Sequence, residues 1–395
     1  MLTRRFGKTG LSLPVLSCGG MRYQQSWNHE DPVSDESQAN LEATVRRSLE
    51  LGICHIETAR GYGTSEKQLG LLLPKLPREQ LVVQTKIAPT ATAEQFEKDF
   101  LDSLARLGLG HVDLLALHGI NDEETLDWAL RKGGCLERAE QLVARGLACH
   151  IGFSTHGPSH LIVRAIEEGR FEYVNLHYYY FQQDNLPAVE AATARDMGVF
   201  IISPTDKGGR LFEPPPKLVE ATSPLSPIRF NDLWCLLDER VHVLSIGAAR
   251  PSDLEEHVAA VEALVQRREE VSRQVVEARG RIEATIDGVF GRRWREAGWQ
   301  SLPHWSKVPG NVNLREILRL YTLAKALDMT TYAQGRYNLM GNAGHWFPGQ
   351  NAEKVQTLDL SSALAGSPFA AQIPGYLQDA HRMLAGTKQQ RLQRE

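Results

Sequence analysis

The chain has 395 residues, with 44 Lys and Arg against 48 Asp and Glu, a formal net charge of −4. That balance argues against a nucleic-acid or anionic-membrane surface, and no uncharged apolar stretch is long enough to span a bilayer. The length suits one large α/β domain with a smaller second one, and 42% hydrophobic with 23% charged residues is ordinary for a soluble globular protein.

The start of the chain, MLTRRFGKTGLSLPVLSCGG, is broken by Gly10 and Pro14 and does not read as a signal peptide. Within it, RRFGKTGLSLP (4–14) reads as a hairpin around its Gly-Lys-Thr-Gly centre. Short apolar runs follow at 16–20, 53–57, 81–86, 112–118, 148–154, 173–178, 199–203 and 241–245, eight in all. Helical patterns fill the intervals at 36–51, 93–107, 122–145, 157–168, 184–196 and 251–266. Buried strands alternating with helices predict a parallel sheet, and eight such units fit a closed (β/α)8 TIM barrel over residues 1–266. The remainder, 267–395, predicts a mostly helical domain: a charged amphipathic stretch at 266–298, an apolar stripe at 314–329 and a last helix over 375–384. The five cysteines (18, 54, 135, 149 and 235) are odd in number and lack metal-ligand spacing. They read as reduced thiols of a cytoplasmic protein, and no metal site is expected.

Four polar residues stand out because three successive predicted strands deliver them: Glu57 in HIETARGYGTSE, Tyr62 five residues on, Lys86 in QTKIAP and His118 in LLALHGIN. Each alone would more often be structural. Together at the C-terminal ends of barrel strands, where barrel chemistry occurs, they make a candidate catalytic set. A tyrosine near pKa 10 exchanges protons poorly at neutral pH; an adjacent ammonium, itself held by a carboxylate, makes it a usable acid. The set resembles the tetrad of the aldo-keto reductases, with Glu57 where that family has Asp. The resemblance implies Tyr62 as proton donor, Lys86 and Glu57 as its tuners, and His118 as the group that orients a carbonyl.

There is no G-x-G-x-x-G turn to indicate a Rossmann domain. Aldo-keto reductases bind NADPH without one, across the barrel mouth, and the resemblance extends to those segments. It implies cofactor contacts from Ser154 in IGFST and Asn175 in YVNLHY. Further contacts would come from Ser203, Lys207, Gly208, Gly209 and Arg210 in ISPTDKGGRL, where the glycines would let backbone N–H groups approach phosphate. Ile202 stands where the family places a stacking aromatic. Arg250, Ser252 and Glu256 resemble the adenosine 2′-phosphate segment, and Ser252 with Glu255 reads as a capping box. NADPH is therefore expected over NADH.

The segment 314–354 resembles the ferredoxin-like tail of a bacterial aldo-keto reductase subgroup, in which cysteine motifs on either side hold [4Fe–4S] clusters. Here residues 241–395 contain no cysteine, and the ligand places fall on Trp299, Leu302, Trp305, Val308, Val355, Leu358, Ser361 and Ala365. Thiolate ligation of a cluster is impossible on these residues. His304 and His345 lack ligand-spaced carboxylates and read as structural.

Tyr23, Trp27, Trp128, Tyr178, Tyr179, Tyr180 and Phe181 fall near the barrel mouth and suit a small aromatic or apolar carbonyl compound. The expected function is NADPH-dependent reduction of an aldehyde or ketone, without nucleic acid or membrane, and with a protein partner of the tail left open. A second reading is an NADPH-binding sensor or scaffold barrel with little turnover.

Overall fold

In the structure, a computed structural model describing residues 1–391, the eight apolar runs form one closed barrel. Its strands are β3 (Leu16–Gly19), β4 (His55–Glu57), β5 (Val82–Ile87), β6 (Val112–His118), β7 (Ala148–Ser154), β8 (Tyr173–Leu176), β9 (Gly198–Ile202) and β10 (Val243–Ile246). Every neighbouring pair is parallel, and β10 closes on β3. The expected hairpin precedes them, with β1 (Thr3–Arg5) antiparallel to β2 (Ser12–Pro14). It carries Phe6 and Leu13 into a fully buried cluster with Leu114, Ala116, Tyr173, Phe200 and Val243. These aromatic and aliphatic side chains make up a buried core, the larger of them each worth roughly 1.5–3 kcal/mol on burial.

The helices in chain order are α1 (Asp35–Glu50), α2 (Ser65–Gly70), α3 (Ala93–Leu107), α4 (Glu123–Leu130), α5 (Cys135–Ala144), α6 (Ser159–Glu167), α7 (Leu186–Ala194), α8 (Pro216–Thr222), α9 (Pro227–Leu237) and α10 (Glu255–Gln266). They continue with α11 (Arg268–Phe290), α12 (Arg292–Ala297), α13 (Leu314–Leu327), α14 (Thr330–Tyr337), α15 (Ser361–Leu364) and α16 (Ile373–Leu384). Helix α3 has the expected bounds, because Thr92 accepts from Gln95 N and Gly108 ends it in the left-handed region. The single helix expected over 122–145 is two. Asp122 and Thr125 cap the first reciprocally, and Gly133, at φ +71°, separates it from the second. The capping box expected at Ser252 is not formed. Pro251 instead starts a 3₁₀ turn over Pro251–Leu254, Asp253 accepts from Ala249 N at 2.9 Å, and α10 begins at Glu255.

By compactness the chain forms two units. The first, residues 1–208 and 231–272, contains the barrel. The second comprises residues 209–230 and 273–391. Its core is α13, buried along most of its length, with α14 and α16 against it. Trp294 is fully buried there, donates from Nε1 to Thr322 Oγ1 at 2.9 Å, and meets the rings of Phe290, Phe369 and Tyr376. Leu302, Val308 and Val355 are buried, Trp299, Trp305 and Leu358 half-buried, and Ser361 and Ala365 exposed. Among the described residues, no helix is long and apolar enough to cross a membrane.

Candidate active site

Glu57 ends β4, Lys86 lies one residue before the end of β5, His118 ends β6, and Tyr62 sits on the loop between β4 and α2. The barrel brings all four together. Lys86 and Glu57 form an ion pair through Glu57 Oε1, both side chains almost wholly buried. Lys86 Nζ also donates to the Thr58 carbonyl at 2.7 Å and lies 4.7 Å from the centroid of the Tyr62 ring. The Tyr62 and His118 rings meet edge to face, with centroids 5.8 Å apart. The Tyr62 loop is fixed by Tyr62 N–Ala59 O and Ser65 N–Tyr62 O hydrogen bonds and by Gly63. At φ +54°, a Cβ on Gly63 would lie 1.8 Å from Ser26 O, so only glycine fits.

Electrostatics at the site are set by burial. Burial pushes the Tyr62 phenol up. It also pulls Lys86 well below the ordinary lysine value, and the nearby Lys207 ammonium adds to that fall. The Glu57 carboxylate supplies the opposing attraction. One layer below, His55 is pulled down to about 3 by burial and by Lys86, so it stands neutral in the barrel interior.

The expected cofactor residues fall into three groups. His118, Ser154 and Asn175 lie side by side across β6, β7 and β8 in direct register. Ser154 Oγ accepts from Gly119 N at 3.2 Å. Asn175 is fully buried, with both amide atoms unpartnered. After β9, Ser203 takes φ +51°, Lys207 is buried, and Lys207 N and Gly208 N both turn back to Ser203 O. The Gly208 N–H is thus used within the loop, where a Cβ would lie 1.8 Å from Pro204 O. Gly209 and Arg210 belong to the second unit, where Arg210 pairs with Glu213 at 2.8 Å. After β10, Arg250 is largely exposed and pairs with Asp253 at 3.1 Å, Ser252 is exposed, and Glu256 is half-buried in the first turn of α10.

Several contributors were not visible in the sequence. Ser245 on β10 donates to Glu57 Oε2 at 3.0 Å. His156, His177 and Tyr179 form a hydrogen-bonded chain beyond the ends of β7 and β8. The -THG- and -LHY- segments carry these histidines, but no spacing ties them together. Of the aromatics expected to line a pocket, Tyr23, Tyr178, Tyr179 and Phe181 are buried, and Tyr178 and Tyr180 flank Trp234. At the opposite end of β6, His111, Asp113 and Cys149 place ligand-type atoms within 4.8 Å of one another. Asp113 Oδ2 is already bonded to Arg78 and to Val83 N.

The model of the aldo/keto reductase family matches residues 15–214, about half of the chain. L-glyceraldehyde 3-phosphate reductase of Escherichia coli K12 is 25% identical over 322 residues, covering 67% of this chain and 88% of the relative. D-threo-aldose 1-dehydrogenase of a Pseudomonas species is 26% identical, covering 53% and 70%. Among solved structures, the holo form of an aldo-keto reductase from Bacillus halodurans superposes with a TM-score of 0.59 at 19% identity, covering 70% of this chain and 96% of its own. One from Klebsiella pneumoniae in complex with NADPH gives 0.55 at 20% identity, covering 69% and 94%.

Proposed function

Because the chain belongs to the aldo/keto reductase family, we propose that it is an NADPH-dependent oxidoreductase that reduces an aldehyde or ketone to an alcohol, with Tyr62 as general acid. The observation that carries this reading is the buried Glu57–Lys86 pair with its ammonium 4.7 Å from the Tyr62 ring. An ammonium there stabilises the phenolate left after proton donation, and the carboxylate opposes the burial that pulls the ammonium down. His118, edge-on to Tyr62, orients the carbonyl oxygen toward the phenol.

When bound, a reduced nicotinamide supplies the hydride. The residues present suit it: the unpartnered, buried Asn175 amide beside Ser154 matches a carboxamide. Ser203 and Lys207 would serve the pyrophosphate, and Arg250, Ser252 and Glu256 the adenosine end, where Arg250 favours a 2′-phosphate. The NADPH complex of the Klebsiella relative and the aldose and triose substrates in the relatives' names support a nicotinamide cofactor and a small carbonyl substrate. We place the enzyme in the cytoplasm. We divide the chain into a reductase barrel (1–266) and a ferredoxin-like helical domain (267–395) whose apolar side chains stand where cluster ligands would be.

The test is NADPH oxidation with an aromatic aldehyde, comparing wild type with Tyr62→Phe. Loss of about a hundredfold or more is expected when the general acid is removed. Equal rates across a panel of carbonyls would sink the reductase reading. They would favour a cofactor-binding sensor or scaffold, the second reading, to which the burial that raises the Tyr62 phenol lends support.

A further inference from the structure

We propose that Ser245 is a positioning residue that anchors the longer carboxylate of Glu57 and so holds the Lys86 ammonium at Tyr62. The inference rests on the reductase reading of the site.

Glu57 and Ser245 lie 188 residues apart, on β4 and β10. Strand β3 runs between those strands and is bonded to both. The carboxylate of Glu57 has two oxygens and two assignments: Oε1 faces Lys86, and Oε2 accepts from Ser245 Oγ at 3.0 Å. Ser245 is buried, so this is a hydrogen bond to a charge in a dry environment, where it is stronger than in water. The space for it is left by Gly19, which pairs directly with Glu57 in the β3–β4 register. A Cβ at Gly19 would stand 2.7 Å from Ser245 Oγ and 3.2 Å from Glu57 Oε2, inside the gap that the hydrogen bond crosses.

A glutamate has one more rotatable bond than an aspartate, and a buried carboxylate free to swing would spread the ammonium over several positions. Fixing Oε2 removes that freedom and leaves Oε1 aimed at Lys86. It also stabilises the charged carboxylate, which in turn stabilises the ammonium against a burial that pulls it down. An aspartate at 57 would be too short to reach Ser245 while keeping Lys86. Glu57, Ser245 and the absent side chain of Gly19 therefore act as one device.

The experiment is a double-mutant cycle in the full-length protein: wild type, Ser245→Ala, Glu57→Asp and the double variant. Carbonyl reduction is followed at saturating NADPH across a range of pH. Ser245→Ala should lower kcat on the order of tenfold, the scale of losing a hydrogen bond to a buried charge, with the KM for NADPH unchanged. It should also move the alkaline limb of the kcat profile to lower pH, because a less stabilised carboxylate lets Lys86 lose its proton sooner. In the Glu57→Asp background, Ser245→Ala should have no further effect on kcat. Independent, multiplying losses, or a Ser245→Ala variant with the wild-type profile, would overturn the inference. The same four proteins in a urea-unfolding cycle read the Glu57–Ser245 coupling without any turnover. If wild type reduces no carbonyl, the reductase reading and the positioning role of Ser245 in it both fall. If wild type turns over and neither cycle shows coupling, only the Ser245 inference falls.

Discussion

Tyr62 is held between two opposing influences, and their balance sets a pH dependence for each reaction direction. Burial raises the phenol, and the Lys86 ammonium favours the phenolate. Burial prevails in the free protein, so the phenol stays protonated through the neutral range. Reduction, which needs the protonated form, should run at a flat rate between about pH 6 and 8, whereas alcohol oxidation, which needs the phenolate, should rise steadily over the same interval. Rates in both directions on one carbonyl–alcohol pair check this, and a reduction rate that fell across that range would contradict it. A second residue pair carries a stability dependence of opposite origin. His257 on α10 is buried against Asp232 on α9, its Nδ1 bonded to Asp232 Oδ2. Burial alone would lower the imidazole, but the Asp232 carboxylate outweighs it and the net shift is upward. A raised histidine stabilises the fold fully below the unfolded value near 6.5, and that stabilisation disappears as pH rises through the folded pKa. The stability gap between wild type and His257→Gln should therefore be roughly 1–3 kcal/mol below about pH 6. It should narrow toward alkaline pH, as chemical denaturation across pH would record.

At the scale of elements, the barrel was legible because each of its strands is a short, mostly apolar run bounded by helical patterns, too short for a helix, and eight of them alternate with helices. The helices α2, α8 and α9 were not: α2 and α8 have only 6 and 7 residues, too few to show a helical period, and α9 follows α8 closely behind Pro224 and Pro227. The capping box at Ser252 failed because Pro251 begins a tighter turn before the helix does. The candidate tetrad stood out for a related reason: Glu57, Lys86 and His118 are polar residues at or next to the C-terminal ends of mostly apolar strands, with Tyr62 on the loop that follows the first of them, and it is their coincidence rather than any one of them that marks a site. The loop that presents Tyr62 was set less visibly, by Gly63. Gly63→Ala should push the Tyr62 loop off Ser26 and, at a displacement near 1 Å, cost about a hundredfold in kcat/KM. Unchanged kcat/KM with an unchanged melting temperature would show that the loop can yield without cost. In the second unit, Trp294 is the corresponding keystone. Trp294→Ala removes a fully buried indole and leaves Thr322 Oγ1 without its donor, so α12 and α13 should lose about 3–5 kcal/mol of protection. Amide hydrogen exchange of those helices in the full chain measures it.

For the whole molecule, the sequence was informative wherever function depends on residues close in the chain and silent where it depends on distant ones. The bond between Ser245 and Glu57 joins strands at opposite ends of the barrel's chain order, and no local pattern announces it. The grouping of residues 209–230 with the C-terminal segment was hidden for the same reason. The absence of cysteine beyond residue 240 is, by contrast, a property of composition alone and has a consequence for the entire protein. Six of the eight places at which the resemblance would put cluster ligands carry large apolar side chains, and Leu302, Val308 and Val355 are buried. Side-chain packing can stabilise these turns without metal. Purified protein should accordingly be colourless, hold no stoichiometric iron, and remain so after anaerobic incubation with ferrous iron and sulfide. Its melting temperature should not change under a strong chelator, whereas a domain folded around a cluster would unfold. Absorbance near 400 nm with about four or more irons per chain would mean that ligands other than cysteine are used. One-electron exchange with a barrel-bound cofactor would then return as a possibility.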